Sequence, residues 1–488
     1  MRRSTDNPHR SRAREAALFL ALAVPTVLTN LARSALGLTD ISILGHFSNG
    51  SAHAANASGG PKFTNNNNQS ISTSYVAAAG YTITWFTIVG VIFVQGLGAA
   101  VNVLGAHAFG SGNVRLLGYY LQVGLTTSTA GAAVVAAVSY FAGQAMHLLV
   151  GFDAPMLRLV ESFSRVTIVG FFPFVWCSVL NSWLMAQKIV QPQLWTYGAC
   201  VGINVGLNYL FIYGCGLPGM PLRDGLGFIG SAVATAVSRW IQFFLMVALS
   251  ARLLRQQRQR RRRRRSEAPF LLDAAPPSSS SASATSSVSA PVSLFHWDLG
   301  AAHKAARLSK FFKQAGPMAM TGLLEDGQLQ LISVLAGRLG TISAATHQGI
   351  FNVFWVLSSL MWAVSAGNRV RVANYLGAGD PEGAQFALRV SAMLGLPTAA
   401  IVSLSLFLAR DSIGFVFSED PEVDTLCGEI MTLVGIAYFA LGFFYLAMST
   451  LNAAGSPLKV AVSFVCGAWF VCMPLAFVFR ELPSREVF

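Results

Sequence analysis

Apolar residues in this chain form long blocks, separated by shorter stretches rich in charged residues, glycine or proline. Each block has about 20 residues or more, the length that an α-helix needs to cross the hydrocarbon core of a bilayer. We interpret the blocks as helices, because isolated strands cannot satisfy their backbone polar groups in lipid. The pattern predicts eleven spans, at residues 16–45, 75–99, 117–143, 164–187, 192–213, 226–250, 309–335, 344–366, 386–409, 430–452 and 458–479.

The composition of the chain also points to a membrane protein. Its 488 residues are 53% hydrophobic and 11% charged, whereas a soluble domain carries about 25% charged residues. We therefore expect an all-α, multi-pass membrane protein. The net charge of +13 would suit a nucleic-acid partner, but nine arginines lie between Arg252 and Arg265 without interleaved aromatic residues. We expect no nucleic acid; this run either sets the topology as a solvated cluster or contacts anionic lipid.

Arginines also predict the orientation, since the cytoplasmic flanks of spans are enriched in Lys and Arg. The N-terminal tail holds five arginines, the Arg252–Arg265 run follows the sixth span, and Arg369 and Arg371 follow the eighth. Even numbers of spans separate these positions, so they lie on the same side, and we expect a cytoplasmic N-terminus. We expect the protein in the plasma membrane or a vacuolar-type membrane. The opposite side then carries three candidate N-glycosylation sites, Asn49, Asn56 and Asn68.

The chain contains an internal repeat. Residues 77–113 align without a gap with residues 344–380, and Gly110 pairs with Gly377. The offset of 267 residues (344 − 77) holds again at residues 182–186. Six spans separate the copies, so both cross the membrane in the same direction. A parallel repeat of this kind predicts two helical lobes around a shared central cavity.

Five regions follow from these patterns. The segment between the halves is rich in Arg and then in Ala, Pro and Ser, a composition that cannot bury a core, so we expect it to be disordered. The regions are a basic cytoplasmic tail (1–15), an N-terminal lobe of spans 1–6 (16–250), the linker (251–307), a C-terminal lobe of spans 7–11 (308–479) and a short tail (480–488).

Ionisable side chains within spans are costly and are therefore candidates for a functional site. Asp40, in the outer part of span 1, either binds an ion or neutralises Arg33, seven residues earlier on the same face. Arg239 lies deep in span 6, where it either pairs with a buried acid or contacts an anionic substrate.

Span 7 is polar over a wide arc. Its two adjacent acids, Glu325 and Asp326, point about 100° apart on a helix and so address different neighbours. Two polar stripes follow from the helical spacing: Thr321, Glu325 and Gln328, and Asp326, Gln330 and Ser333. Such a helix cannot face lipid, and it lines a wet cavity or a polar interface. The acids either bind a ligand or form a buried hydrogen-bonded pair.

Cysteines and histidines give no sign of a catalytic or metal centre. The six cysteines lack C-x-x-C spacing and lie mostly in apolar stretches, and the eight histidines are scattered, without H-x-x-x-D or H-E-x-x-H spacing. We expect no metal, no cofactor and no enzymatic activity.

Several segments resemble the multidrug and toxic compound extrusion (MATE) family. Residues 25–45 (PTVLTNLARSALGLTDISILG) resemble its first helix, and AFGSGN and RVANYLGAGD resemble its paired signatures after the second and eighth helices. SWLMAQKIVQP resembles the fourth-helix motif of the eukaryotic branch, and TGLLEDG resembles its acidic seventh-helix motif. The resemblance covers residues 17–250 and 308–479.

The resemblance implies twelve helices in two pseudo-symmetric six-helix lobes around a central cavity. It also implies antiport, in which organic cations, xenobiotics or metabolites are exported in exchange for protons or sodium. We expect a monomer in the lipid bilayer that transports small molecules. Only Arg480–Phe488 follow the eleventh span, so we expect the twelfth helix to be missing from a truncated chain. Another apolar stretch of about 20 residues in frame past Phe488 would restore it.

Single residues also match the family motifs. Asp40 matches the first-helix aspartate, and Glu325 matches the seventh-helix glutamate, which is implied to bind protons or cationic substrate. The second glutamate of that helix corresponds to Gln330, so that acid is absent here.

Amides provide the remaining candidates. Asn204 and Asn208 are four residues apart on one face of span 5 and match family positions near the first-helix aspartate. Their amides either orient a carboxylate, or coordinate an ion, or form hydrogen bonds that hold neighbouring helices together. Gln187, at the end of span 4, matches the last Gln of the family's fourth-helix motif, and helix packing is its other interpretation.

Two further functions stay open as alternatives. A lipid-linked substrate flippase of the same superfamily would have a more cationic central cavity, and Arg33 and Arg239 keep that hypothesis open. A multi-span membrane enzyme would need a catalytic cluster at a membrane face, which the histidine spacing does not provide.

Overall fold

The computed structural model describes residues 11–50, 70–150, 153–214, 225–272, 298–338, 341–413 and 421–481, and these residues are helical apart from short turns and caps. The elements are α1 (Arg12–Gly50), α2 (Ser70–Phe86), a π-helical turn (Thr87–Val91), α3 (Ile92–Gly110), α4 (Val114–Tyr140), α5 (Ala142–Val150), α6 (Ala154–Ala186), α7 (Gln191–Tyr213), α8 (Phe228–Leu272), α9 (Leu299–Ala302), α10 (Ala305–Arg338), α11 (Thr341–Gly377), α12 (Pro381–Leu408), α13 (Arg410–Ile413), α14 (Pro421–Ala453), α15 (Pro457–Phe464), a second π-helical segment (Val465–Cys472) and α16 (Met473–Glu481).

Most of the predicted spans appear as long apolar helices. Among the described residues, eight helices are long and apolar enough to cross a membrane, and the pair α2–α3, bent by 45° at its π-helical turn, makes a ninth. The other two predicted spans correspond to α7 and α10, which have 23 and 34 residues. These two helices carry Asn204 and Asn208, and Glu325 and Asp326, which lower their hydropathy. Two of the helices that carry candidate residues are therefore less apolar than the other predicted spans.

Several helices extend beyond the predicted boundaries. Helix α1 begins at Arg12, inside the predicted tail. Helix α8 continues through the arginine run to Leu272, since Arg and Gln are good helix formers. At 1.5 Å per residue its 45 residues reach about 68 Å, roughly twice the thickness of the hydrocarbon core. The division of the chain into five regions stays a prediction.

One expected boundary is wrong. Arg369 and Arg371 do not follow the eighth helix but lie within it, because α11 runs to Gly377. Arg371 is buried and forms an ion pair with Glu15, at the beginning of α1. The apolar block ended the predicted span too early, because a hydropathy pattern cannot distinguish an arginine in cytosol from one buried against protein.

The repeat is visible in the way α3 and α11 cross. A Cβ atom at Gly110 would collide with the backbone carbonyl of Asn374, and a Cβ atom at Gly377 would collide with that of His107. Both Gly110 and Gly377, and His107 and Asn374, are 267 residues apart. The two helices therefore meet through equivalent glycines that each allow the partner's backbone to approach closely.

Equivalent turns follow the two crossing helices. The side chain of Asn113 accepts a hydrogen bond from the backbone N–H of Leu116 at 3.0 Å, and Asp380 accepts one from Gly383 at 2.9 Å. These bonds cap the first turns of α4 and α12. Gly112 and Gly379 precede the caps with φ of 71° and 74°, the left-handed conformation that glycine adopts without strain.

Helices α1, α3, α10 and α11 connect the two halves of the repeat. Helix α1 packs against α7 and α11, and α3 packs against α4, α6, α10 and α11. At one end of the bundle, the imidazole Nε2 of His107 lies 2.7 Å from the carbonyl oxygen of Ala453, and Gln314 donates to the carbonyl of Asn452 at 3.1 Å. This end, where α1 begins and α3 and α11 end, is closed by direct contacts.

Candidate functional site

Asp40 lies in a hydrogen-bonded cluster formed by α1, α7 and α8. Asn208 donates from Nδ2 to Asp40 Oδ1 at 2.8 Å, and the hydroxyl of Thr235 donates to Asp40 Oδ2 at 2.8 Å. Each carboxylate oxygen thus has its own donor. Hydrogen bonds of this kind favour the charged form of a carboxyl group, while its burial opposes it.

A second layer of amides orients these donors. The Nδ2 group of Asn208 also lies 3.1 Å from Asn204 Oδ1, and Thr39 donates to that same oxygen at 3.3 Å. Asn204 in turn donates to the hydroxyl of Ser238 at 3.4 Å. The structure thus brings three predicted residues together, and both asparagines are almost fully buried.

A cavity of about 190 Å³, here called the side cavity, opens beside Asp40 and is lined by helices of the first half of the chain. Arg33 and Arg239 both line it. The guanidinium of Arg33 lies over the ring of Tyr197, 5.3 Å from its centroid, and that of Arg239 lies 4.6 Å from the centroid of Phe174. Among the described side chains, neither arginine is within 4.0 Å of an acid, so direct neutralisation of Arg33 by Asp40 is not seen.

Glu325 belongs to a second cavity. Tyr445 on α14 donates its hydroxyl to Glu325 Oε1 at 2.9 Å, and Trp362 on α11 donates its indole N–H to Tyr445 Oη at 2.5 Å. This chain of bonds holds the carboxyl group of α10 against two aromatic side chains. One oxygen of the carboxyl group therefore has a fixed partner.

This second cavity, here called the central cavity, has a volume of about 280 Å³ and is lined by α1, α3, α6, α7, α10, α11 and α14. Its walls thus come from both halves of the repeat. Thr321 and Glu325 line it, as expected for one polar stripe of span 7. Arg33 lines both cavities and is the residue that they share.

The remaining residues of span 7 point elsewhere. Gln328 donates to Cys472 Sγ at 3.3 Å, and Ser333 lies 2.9 Å from Nε2 of His347. Asp326 is half-buried and Gln330 is exposed, and neither lines the side cavity or the central cavity. The two adjacent acids therefore address different surroundings, as their helical spacing predicts.

The remaining candidates are Gln187 and the three glycosylation sites. Gln187 forms the C-terminal cap of α6 and donates from Nε2 to the carbonyl of Trp183 at 3.2 Å, which fits the packing interpretation. Asn49 is in the last turn of α1, while Asn56 and Asn68 lie outside the described residues. In the part of the chain that the structure describes, no three His, Cys, Asp or Glu residues are grouped closely enough to hold a metal ion.

Arg369 is the functional candidate that sequence reasoning missed. It lines the central cavity, and its Nε donates to Asn102 Oδ1 at 3.2 Å. Asn102 lies exactly one repeat offset, 267 residues, before it. The spacing of Arg369 and Arg371 was the available signal: two helical residues at this separation point about 200° apart, so they cannot share one surface.

A family model and several solved structures are similar to this chain. The model of the MatE family matches residues 69–210 and again residues 317–478. The eukaryotic MATE transporter AtDTX14 is 18% identical with a TM-score of 0.72, over 96% of this chain and 90% of that chain. The Vibrio cholerae MATE transporter VcmN in its bent form is 15% identical with a TM-score of 0.74, over 96% and 91%.

A third solved structure has the same fold. It is a MOP superfamily transporter from Pyrococcus furiosus, in which the reverse polarity of the binding pocket suggests a different function. It is 13% identical, with a TM-score of 0.72, over 96% of this chain and 89% of that chain. At these identities the three structures show the fold alone: an all-helical, multi-span membrane protein.

Proposed function

Since this chain belongs to the MATE family, a family of membrane transporters and not of enzymes, we propose that it is a secondary active antiporter. It exports organic cations, xenobiotics or metabolites from the cytoplasm in exchange for protons, or for sodium, by alternating access. The observation that carries the proposal is the placement of Glu325 in a cavity walled by helices from both halves of the repeat. A carboxyl group there contacts substrate and senses the relative movement of the halves.

The proposed protein is a monomer whose two pseudo-symmetric lobes surround the central cavity. It lies in the plasma membrane or a vacuolar-type membrane, with its N-terminus in the cytoplasm. The repeat offset and the crossing of α3 and α11 through Gly110 and Gly377 support the two lobes. Opening the end at which α1 begins, and closing the opposite end, would expose the cavity to the cytoplasm.

Glu325 couples ion binding to substrate binding in this mechanism. In its ionised form it attracts a cationic substrate, whose flat or apolar body lies against Trp362 and Tyr445. Protonation neutralises the carboxylate and weakens that attraction, so the substrate is released on the outer side. Because an ion shifts a conformational equilibrium only through its different affinity for the two states, the proton must bind the inward-facing and outward-facing states with different affinities.

Asp40 provides a second ion site in the proposal. Its two oxygens and Asn204 Oδ1 are hard oxygen ligands suited to a small cation such as sodium, and the same carboxyl group can accept a proton. Asn208 positions Asp40, and Arg239 contributes positive charge to the side cavity. We assign no step of the transport cycle to three other candidates, because they lie outside the two cavities: Asp326, Gln330 and Gln187.

Replacing Glu325 by glutamine tests the proposal. We expect efflux of a fluorescent cation from vesicles, driven by an imposed pH gradient, to fall about tenfold or more, because a side chain that cannot change charge shifts no equilibrium. Glu429→Gln, at an exposed position of α14, is the matched control and should transport normally. Undiminished pH-driven transport by Glu325→Gln would remove Glu325 from the mechanism, and repeating the assay with a sodium gradient separates the two ions.

Replacing Asn208 by leucine tests the role of Asp40. The change removes the donor to Asp40 Oδ1, so the ionised carboxylate is less stable and protonates more easily. We expect the pH of half-maximal proton-driven efflux to rise by about one unit, which corresponds to the loss of one charge-assisted hydrogen bond. Asn352→Leu, at an exposed amide of α11, should leave the pH profile in place, and an equal shift in both variants would contradict a specific role for Asp40.

The cationic residues favour one second candidate. Arg33 and Arg369 in the central cavity and Arg239 in the side cavity would suit a lipid-linked substrate with a phosphate group, carried by a flippase of the same superfamily. Reconstituted protein that moves a fluorescent phospholipid analogue between leaflets, but no soluble cation under a pH gradient, would support this candidate over the antiporter.

A further inference from the structure

Two arginines of the side cavity, Arg33 and Arg239, have unused hydrogen-bond donors. Each guanidinium contacts an aromatic ring, but in the described part of the chain neither has a hydrogen-bond acceptor or an acid within 4.0 Å. Arg371, by contrast, donates to both oxygens of Glu15, each at 2.6 Å. A guanidinium removed from water without a counterion is costly. The wall of the side cavity therefore carries positive charge that its own contacts leave unbalanced.

Asp40 does not balance this charge. It is the one acid among the described lining residues of the side cavity, and its two oxygens already accept hydrogen bonds from Asn208 and Thr235, each at 2.8 Å. Two arginines and one carboxylate give the cavity a charge of +1 when Asp40 is ionised, and of +2 when Asp40 is protonated. One negative charge is missing from the ionised cavity.

No other described group of the cavity wall supplies that negative charge. Helix α1 contributes Arg33 and Asp40, and α8 contributes Arg239. Helix α7 contributes Tyr197 and Cys200, which are neutral near pH 7. The described lining residues of α2 and α6 include no titratable side chain. A counterion has to come from solution.

An unpartnered amide lies beside Arg239. Gln242 lines the same cavity and follows Arg239 by three residues on α8, so the two side chains are neighbours on the surface of the helix. Gln242 is 5% exposed, and its Nε2 has no hydrogen-bond partner in the described part of the chain. A buried donor without an acceptor is costly. An anion that accepts from both side chains would remove both costs.

The size and the walls of the cavity select the kind of anion. With about 190 Å³, it is the smaller of the two cavities, and Ile83, Phe163 and Phe174 give it an apolar wall. Such a wall cannot replace the water around a strongly hydrated, doubly charged ion. A single negative charge also balances the charge of +1. These features fit a small, singly charged inorganic anion.

We propose that the side cavity binds one singly charged inorganic anion of the chloride class at Arg239 and Gln242, and that it binds this anion more tightly when Asp40 is protonated. An ionised carboxylate repels the anion, whereas a neutral one does not. The coupling is reciprocal, so the bound anion makes Asp40 easier to protonate and favours a proton over sodium at this residue. The site is separate from Glu325, and the inference goes beyond the proposed antiport.

Chloride binding at two pH values provides the first test. The probe is chloride itself, and its binding is measured from the broadening of its NMR signal by the purified full chain in detergent, with gluconate as the replacing anion. We expect the dissociation constant of chloride to fall about fivefold or more between about pH 8 and about pH 5. Asp40→Asn should bind with the tighter constant at both pH values. Chloride affinity that does not change with pH in the unmodified chain overturns the proposal.

Two substitutions locate the site. We expect Arg239→Gln to weaken chloride binding about tenfold or more, and Gln242→Leu to weaken it about fivefold, because each removes a donor to the anion. Arg389→Gln, at an exposed position of α12, is the control for loss of a charge and should bind as the unmodified chain does. Size-exclusion chromatography checks that each variant is folded, and Gln242→Leu tests the site even if Arg239→Gln does not fold. Unchanged binding in a folded variant of either residue means that water alone fills the cavity, and it overturns the proposal.

Competing ions test the class of anion. Bromide, which has the same charge and a similar size, should displace chloride and narrow the NMR signal. Sulfate at equal ionic strength should leave the signal broad, because Asp40 and the apolar wall disfavour a doubly charged ion. Equal displacement by sulfate would contradict a site for single charges. None of these measurements involves transport, so their outcome is independent of the antiport proposal.

Discussion

Replacing Arg371 by methionine is expected to lower the free energy of unfolding by about 3–5 kcal/mol, because it leaves the buried carboxylate of Glu15 without its cation. The two side chains are 4% and 6% exposed, and Tyr375 donates to Glu15 at 3.0 Å. Methionine keeps most of the length of the side chain and removes its charge. The measurement is equilibrium unfolding of the purified chain in mixed micelles with increasing sodium dodecyl sulfate.

Because a lysine lies nearby, we expect the decrease in the free energy of unfolding to be closer to about 3 than to about 5 kcal/mol. Lys188, in the turn between α6 and α7, has a pKa lowered to about 8 by burial and by the positive charge of Arg371, while Glu15 acts in the opposite direction. Removing Arg371 raises the pKa of Lys188 and leaves a cation close to Glu15. We therefore expect Arg371→Met to be less damaging at pH 7 than above pH 9, where Lys188 has lost more of its charge.

The comparison variant is at an ion pair within one helix. Arg165 and Glu161 are 3.2 Å apart on α6, with side chains 43% and 13% exposed, so Arg165→Met should cost less than Arg371→Met because Arg165 is partly solvated. The exchange Glu15→Arg with Arg371→Glu should recover part of the loss. If Arg371→Met costs no more than Arg165→Met, the buried pair does not hold α1 against α11.

Alanine at Gly110 or Gly377 is expected to force α3 and α11 apart. A methyl group at either position meets the backbone of the opposite helix, at Asn374 or His107, and a backbone cannot move aside as a flexible side chain does. Each substitution should cost about 1–3 kcal/mol and reduce export strongly, because the closed end of the bundle depends on this crossing. Unfolding in mixed micelles and vesicle efflux measure the two effects.

The double variant adds information about the crossing. Once one methyl group has separated the helices, the second should cost less than it does alone, since neighbouring substitutions are not additive. Gly202→Ala, where a Cβ atom would meet nothing within 4 Å, is the control and should be neutral or stabilising by up to about 1 kcal/mol. Full additivity of Gly110→Ala and Gly377→Ala would argue against a shared contact.

Much of the helical architecture was predictable because apolar blocks of membrane length have few alternatives. The repeat offset anticipated the equivalent turns at Gly112 and Gly379. The spacing of Asn204 and Asn208 correctly placed both on one face, and the family resemblance placed that face near Asp40. These inferences depend on local periodicity or on motif order, which a single sequence carries.

Other features depend on contacts between distant segments and were not predictable. The donor Thr235 lies 195 residues after Asp40, and Tyr445 lies 120 residues after Glu325. Arg369 looked like a topology signal, because its charge was visible in the sequence and its burial was not. Glu15, counted within a basic tail, forms a buried ion pair for the same reason.

The contact between Asn102 and Arg369 shows how the charge of the central cavity depends on a difference between the two halves. The two residues occupy equivalent positions of the repeat and touch each other, so a protein built from two identical halves would have faced like with like at this point. Two asparagines could share amide hydrogen bonds, whereas two arginines would repel each other. An arginine on one side therefore requires that the two halves differ at this position, and a single codon in one half is enough to change the charge at the centre of the molecule.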